Sequence, residues 1–506
     1  MVPRLMLLVG LLGVLAVGPL PAQTAVDTSG AGALIVQAMD HSEVMANLQH
    51  LADVIGPRLS GSPAMRRAND WTAERFQQYG LSPRLEPYQF GVTWERGPVS
   101  LRLLEPFTRW VTGHSWAWTA GTGSKPLAGP VVLTDLTTPE SLAVYRTRVK
   151  GAWVLPRAAY PLWNPDGPVM TPEDSIRLTD KVQLRNSVTA DTSPPAVFAR
   201  RQFQIDLPYI LKAAGALGTL LDASKEHALM NMSGSPNRVS PLPSLVIAHE
   251  DYAQLERLIR AGVSPRIEAK VTNRIGHTPV QQWNTVADLR GSERPGQVVI
   301  LGAHLDSWDL GTGVTDNGTG SMVVLEAARI IARSGLKPKR TIRFILFSGE
   351  EEGLLGSRAY AADHAVEADS IQAMLVLDNG TGAITGQALQ GRDDLEGLWR
   401  GLLAPVSSLG ASGIRHASKT GTDHLSFIPY GVPAFNFDQL PRGYPHTHHS
   451  QSDTFDKAVE ADLKQAAAVM AVTAYELANL AELLPRGPKT TPERVPHRPS
   501  QRATTD

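Results

Sequence analysis

Residues 297–320 read QVVILGAHLDSWDLGTGVTDNGTG. The first seven, Gln297–Ala303, form an apolar, β-branched run suited to a buried strand, and His304 and Asp306 follow where that strand must stop. Asp316 sits in the glycine-rich loop behind it. From Gly320 to Ser334, Met322, Val323, Leu325, Ala328, Ile330 and Ile331 recur at helical spacing. Strand, loop and helix in this order are the unit of a sheet with crossover helices. Strands at Arg340–Phe347, Met374–Leu377 and Pro433–Phe437 continue it, so the fold class expected after Thr285 is α/β.

The ends of these strands collect titratable residues. Glu350 and Glu351 follow the second strand, Asp378 the third, and His449 lies in the late segment His446-Thr447-His448-His449-Ser450. Open α/β sheets bind ligands at the carboxyl ends of their strands. One carboxylate there more often caps a helix; seven titratable groups at one edge need another explanation. Imidazole nitrogen and carboxylate oxygen together, without thiolate, point to zinc, manganese or cobalt rather than calcium. There are too many carboxylates for one ion, whereas two ions about 3.5–4 Å apart that share one carboxylate would balance them and leave a glutamate free as a base.

The whole chain agrees with chemistry of this kind. Its 506 residues are 42% apolar and 19% charged, and 48 basic side chains nearly offset 49 acidic ones, which excludes a chain that is as a whole a disordered tail or a nucleic-acid-coating protein. With no cysteine, a disulfide framework, a thiolate metal site and a cysteine nucleophile are all excluded. Arg4, the apolar run Leu5–Val17 and Gly18-Pro19-Leu20-Pro21-Ala22 form the pattern of a signal peptide over residues 1–22, cut after Ala22. Secretion or a periplasmic location is therefore expected, with no membrane association after cleavage. Ser42 is placed to cap a helix carrying Val44, Leu48 and Leu51, and a second helix carries Met65 to Tyr79 and stops at Gly80. Short β-rich runs around one helical stretch, Tyr209–Leu217, mark residues 115–273 as a separate module, which contains a Pro-rich loop between 158 and 195. A final helix is expected over 459–484.

Four stretches, HLDSWDLGTGVTDNGTG (304–320), SGEEEGLLGS (348–357), LVLDNGTG (375–382) and HHSQSDTFD (448–456), resemble peptidase family M28, the dizinc exopeptidases, in order and spacing. SWD after HLD and the HHSxxDT ending resemble its carboxypeptidase Q branch. The resemblance implies a three-layer αβα sandwich with a central mixed sheet, formed by 27–114 and 274–486; the Arg-, Pro- and Thr-rich residues 487–506 read as a disordered tail. It makes His304 and Asp378 ligands of one metal, Glu351 and His449 ligands of the other, and Asp316 the bridge, with two zinc ions as cofactor and manganese or cobalt as substitutes. Asp306 would orient His304, and Glu350 would be the general base toward a water between the metals. Asp423 and His424, in GTDHLSF, are similar to a segment at the family's active-site rim and are candidates for substrate binding.

VKGAWVLP (149–156), AGALGTLL (214–221) and PLPSLVIAHED (241–251) make the module at 115–273 similar to a protease-associated domain, which caps a cleft and carries no catalytic residue. The implied activity is hydrolysis of short peptides, as an aminopeptidase or dipeptidase, because an acidic metal shell favours a free amine over a carboxylate. A carboxypeptidase of the same fold is the alternative, ahead of an inactive receptor-like relative or a single-zinc acyltransferase. Short peptides are the expected partners, nucleic acid is not one, and a homodimer is an allowed state. Neither a nucleotide site nor a serine hydrolase fits: Asp316 replaces the third glycine of G-x-G-x-x-G, and no serine sits in G-x-S-x-G.

Overall fold

Along the strand Arg294–His304, which contains the quoted run, alternate residues part company: Val299, Leu301 and Ala303 pack into one core, Val298 and Ile300 into another. A strand apolar on both faces must be covered on both, so its sheet lies between two layers of helices. The computed structural model describes residues 30–136, 138–162 and 194–492. The leader at 1–22, most of the Pro-rich loop and the end of the tail lie outside the described residues.

In chain order the strands are β1 (Ser82–Glu95), β2 (Val99–Glu105), β3 (Arg109–Trp110), β4 (Gly113–Ser115), β5 (Leu127–Leu133), β6 (Trp153–Leu155), β7 (Gly218–Asp222) and β8 (Ser244–Ile247). They continue with β9 (Arg266–Val271), β10 (Arg274–Leu289), β11 (Arg294–His304), β12 (Arg340–Phe347), β13 (Ile371–Val376), β14 (Ile384–Ala388), β15 (Gly413–Arg415) and β16 (Ala434–Gln439). One mixed sheet has the order β1-β10-β12-β11-β13-β16-β14-β15, and its centre, β12 to β16, is parallel. Helices Ala31–Asp40, Pro63–Gln78, Thr319–Arg333 and Glu460–Asn479 share a core with one face. Tyr360 and Ala361 of helix Leu355–Asp363, with Phe427, cover the other. This is the three-layer α/β sandwich.

The second sheet has the order β3-β2-β9-β5-β6-β7-β8-β4, with a parallel centre, β5 to β8. Its chain leaves and returns through the antiparallel pair β1 and β10, matched from Ser82↔Asp288 to Glu95↔Arg274. The sheet takes in Val99 and so begins before residue 115, because Leu101 and Leu103 alternate into its core and β2 pairs with β9.

Other boundaries also move. The helix expected at Tyr209–Leu217 is Pro194–Ala213, and it ends where Gly215 takes a left-handed backbone (φ 82°) and Leu217 donates its N–H to Ala152. The last helix stops at Asn479, and beyond it the Leu480 carbonyl accepts from Arg340. Ser42 accepts the Val44 N–H, but Glu43 holds the cap position. The stretch from 487 starts out attached, since Gly487 and Thr490 donate N–H groups to Gly431 and Pro429.

Candidate metal centre

β11 ends at His304, and β12 and β13 run parallel to it with His304 level with Phe347 and Gly302 level with Val376. Three loops therefore leave one edge of the sheet together. They bring His304, Asp306, Asp316, Glu350, Glu351 and Asp378 into one cluster, and His449 joins it from the segment after β16.

His304 Nε2 lies 3.3 Å from Asp316 Oδ1 and 3.3 Å from Asp378 Oδ1. His449 Nε2 lies 3.4 Å from Asp316 Oδ2 and 2.9 Å from Glu351 Oε2. Asp316 thus turns one carboxylate oxygen to each histidine. Glu350 Oε2 stands 3.9 Å from His304 Nε2. His448 stacks on His449 at 3.7 Å, yet its Nε2 is 3.8 Å from Asp316, farther than that of His449. His304 Nε2, Asp316 Oδ2, Glu351 Oε1 and Asp378 Oδ1 are buried without a hydrogen-bond partner. Buried polar atoms seldom stay unsatisfied, and two imidazoles among three carboxylates are a suitable donor set for a zinc-like divalent cation. The residues present fit such an ion.

A ring of contacts aims this set. His304 Nδ1 faces the Asp306 carbonyl at 3.1 Å and the Asp306 carboxylate at 3.5 Å. Asp306 Oδ2 accepts the Ser60 hydroxyl at 3.2 Å and the Glu351 main-chain N–H at 3.3 Å, so it ties two loops together as well as facing the ring. Arg58 is fully buried and donates to the carbonyls of Gly56, Leu305, Thr312 and Gly313. Gly313 is required there: its φ is 61°, and a Cβ would lie 2.2 Å from Ser307 and 2.8 Å from Arg58. Asp453 accepts the N–H groups of Thr315 and Asp316.

The cluster carries more acid than the protein offsets. Burial pushes Glu350 well above the usual carboxylate range, Asp378, Asp423 and Glu351 push it further, and His304 opposes them. Burial raises Glu351 too, with Asp316 adding to it. For Asp316, burial is outweighed by His304, His448 and His449, and its pKa falls below the ordinary value. Burial takes His449 down to about 4 against the pull of Asp316, while in His304 burial is overcome by Asp378, Glu350, Asp306 and Asp316, and its pKa rises. Burial also lowers Arg58 to about 10, against Asp453, Asp306, Asp316 and Glu351. A divalent cation would relieve this imbalance.

The cluster opens into a cleft of about 720 Å³, whose opposite wall includes Lys225, Asn231, Met232 and Arg238 of the second sheet's loops. The expected residues converge, with one departure. Asp423 and His424 are fully buried behind the wall, and the residues of their segment that line the cleft are Thr420, Gly421 and Thr422. Arg58, Ser60, Lys225 and Asp453 join the site without being among the residues expected from the sequence. Asp453 lies within HHSQSDTFD and could have been questioned there; Arg58 was hidden in the Gly56-Pro57 stop, and Lys225 has no local signal.

Residues 284–474 match Peptidase family M28. Carboxypeptidase Q of Homo sapiens is 28% identical over 442 residues, covering 86% of this chain and 85% of that protein. Among solved structures, a peptidase M28 precursor from Shewanella amazonensis SB2B superposes with a TM-score of 0.73 at 24% identity, covering 91% of this chain and 98% of that one. A zinc aminopeptidase from Bacillus subtilis gives 0.59 at 20% identity, covering 86% and 94%. Likeness at these identities shows a shared fold.

Proposed function

The chain belongs to peptidase family M28, and on that premise we propose that this metallopeptidase is an exported dizinc exopeptidase that hydrolyses short peptides as an aminopeptidase or dipeptidase. The observation that carries the two-metal reading is Asp316, whose oxygens address His304 on one side and His449 on the other. His304 and Asp378 would hold one zinc, His449 and Glu351 the second, with Asp316 between. Zinc held there supplies Lewis acidity, which polarises a carbonyl and lowers the pKa of water.

The protein's own part is proton handling and placement. Glu350, raised by burial and neighbouring acids, suits a base that takes a proton at its carboxylate and returns it to the leaving amine. Its position supports that role over Glu351, which points at His449, and over Glu352, which is buried at 2% exposure away from both histidines' contacts. Ser60, Asp306 and Arg58 keep the loops in register. The apolar leader supports export.

A second reading, carboxypeptidase action, draws on Arg238. It lines the cleft and, among the described residues, no carboxylate pairs with it; burial and the like charge of Arg201 lower its pKa. The proposed function is tested by metal content and turnover of unblocked dipeptides. We expect about two zinc ions per chain, activity abolished by chelation and restored by zinc. One ion in the fully active enzyme defeats the dinuclear reading.

A further inference from the structure

The segment that carries His449 has little regular structure: a four-residue helix, Tyr444–Thr447, followed by turns, with His449 itself in a left-handed backbone, φ 56°. Thr315 holds it on one side through Thr447 and Asp453, and the second sheet braces it on the other. Gln451 makes a two-way amide contact with that sheet's loop, its Oε1 accepting the Met230 N–H at 2.9 Å and its Nε2 donating to the Ala228 carbonyl at 3.1 Å. Lys225 Nζ donates to the carbonyl of His448.

The brace is itself fixed. His227 and Ala228 both have positive φ, 62° and 53°, and both donate their N–H groups to Glu250, at 2.7 and 3.3 Å. Arg96 grips Asp309 at 2.7 and 2.9 Å and contacts Met232 Sδ at 3.2 Å. Beside Asp309, Trp308 sets its ring against that of His449 at 6.0 Å between centroids. His304, in contrast, is the last residue of β11 and Asp378 stands two residues past the end of β13, the parallel strand beside it.

We propose that the loop at residues 225–232 positions the His449 half of the metal centre, acting through Gln451 and Lys225, so that occupancy of that half depends on a sheet that supplies no ligand. This rests on the two-metal reading above. Contacts that aim a ligand are worth about 10–100-fold in metal affinity, and by linkage a loop that favours metal binding must in turn be stabilised by it.

The test titrates the metal-free full chain with Zn²⁺ against a competing chelator, and follows amide exchange over 225–232. In wild type two ions should bind and exchange in the loop should slow. Gln451→Ala should weaken one binding step by about 10–100-fold, leave the other unchanged, and abolish the zinc-dependent slowing. Lys225→Met, which removes the other tether, should weaken the same step, and it decides the matter if Gln451→Ala folds poorly. Two wild-type-like steps in both variants, or equal weakening of both steps, overturns the positioning role alone. No zinc uptake by wild type overturns it together with the metal-centre reading.

Discussion

Asp453 holds the backbone of Asp316: its Oδ2 accepts the Asp316 N–H at 3.1 Å, while its Oδ1 accepts that of Thr315 at 2.6 Å. The carboxylate proposed as the bridge is thus fixed through its own main chain by a residue that pairs with neither histidine of the centre. Asp453→Asn sets an amide NH₂ against a main-chain N–H, a mismatch that costs about 1–3 kcal/mol. Zinc affinity should fall about 10–100-fold with a lower Tm, measured by calorimetry. Unchanged affinity would show that Asp316 needs no such support.

Asp316→Asn should lose far more metal than Asp306→Asn. The first removes a group shared between both halves, whereas His304 keeps the Asp306 carbonyl when the carboxylate is changed. Metal analysis after dialysis reads the difference, and equal losses would reverse the two assignments.

Glu350→Gln should keep both metals and lose about 10²–10⁴-fold in kcat, because it removes a proton acceptor and no ligand. Glu351→Gln should lose metal as well. If the two variants exchange these outcomes, the register of the three consecutive glutamates is shifted by one.

At the start of helix His249–Arg260, His249 Nδ1 sits 3.1 Å from both oxygens of Asp222 at the end of β7, and that hydrogen bond raises the imidazole pKa against the opposing effect of burial. A pKa raised on folding adds stability that is complete below the unfolded value of about 6.5 and is lost as pH rises through the folded value. His249→Gln should therefore lower the Tm of chelated protein most below about pH 6, with the gap closing toward alkaline pH. A gap that widens with pH would contradict the pairing.

On the proposed aminopeptidase or dipeptidase reading, the acid excess at the centre favours a free amine. N-acetylation of a good dipeptide should cost at least about 10²-fold in kcat/KM, about 2.7 kcal/mol, the scale of one lost charge-assisted contact. Rapid cleavage of the acetylated peptide with a strict need for a free carboxylate would favour Arg238 as the anchor and the carboxypeptidase reading.

The parts legible in the sequence are those with a local period. β12 was placed to the residue, and the helix at Thr319–Arg333 to within one, because a buried run and a helical stripe each repeat within a few positions. The long pair β1 and β10 was missed: SPRLEPYQFGVTWE holds two prolines and mixes polar with apolar residues, and its order comes from pairing with a strand far along the chain. The cluster at the strand ends was readable because topology gathers such residues at one edge. Its supports were not, since Arg58 reaches Gly313 across 255 positions through main-chain carbonyls that any residue provides.

That same guanidinium sets a limit on how small the enzyme can be cut. A fragment spanning the family-matched residues 284–474 would contain every proposed ligand and the proposed base. It would lack the cation that the Leu305, Thr312 and Gly313 carbonyls turn toward, leaving those of Leu305 and Gly313 buried without that donor. A fragment that keeps this support therefore starts upstream of Arg58, where the first described helices lie, and a boundary drawn around the chemistry alone would cut through its foundation.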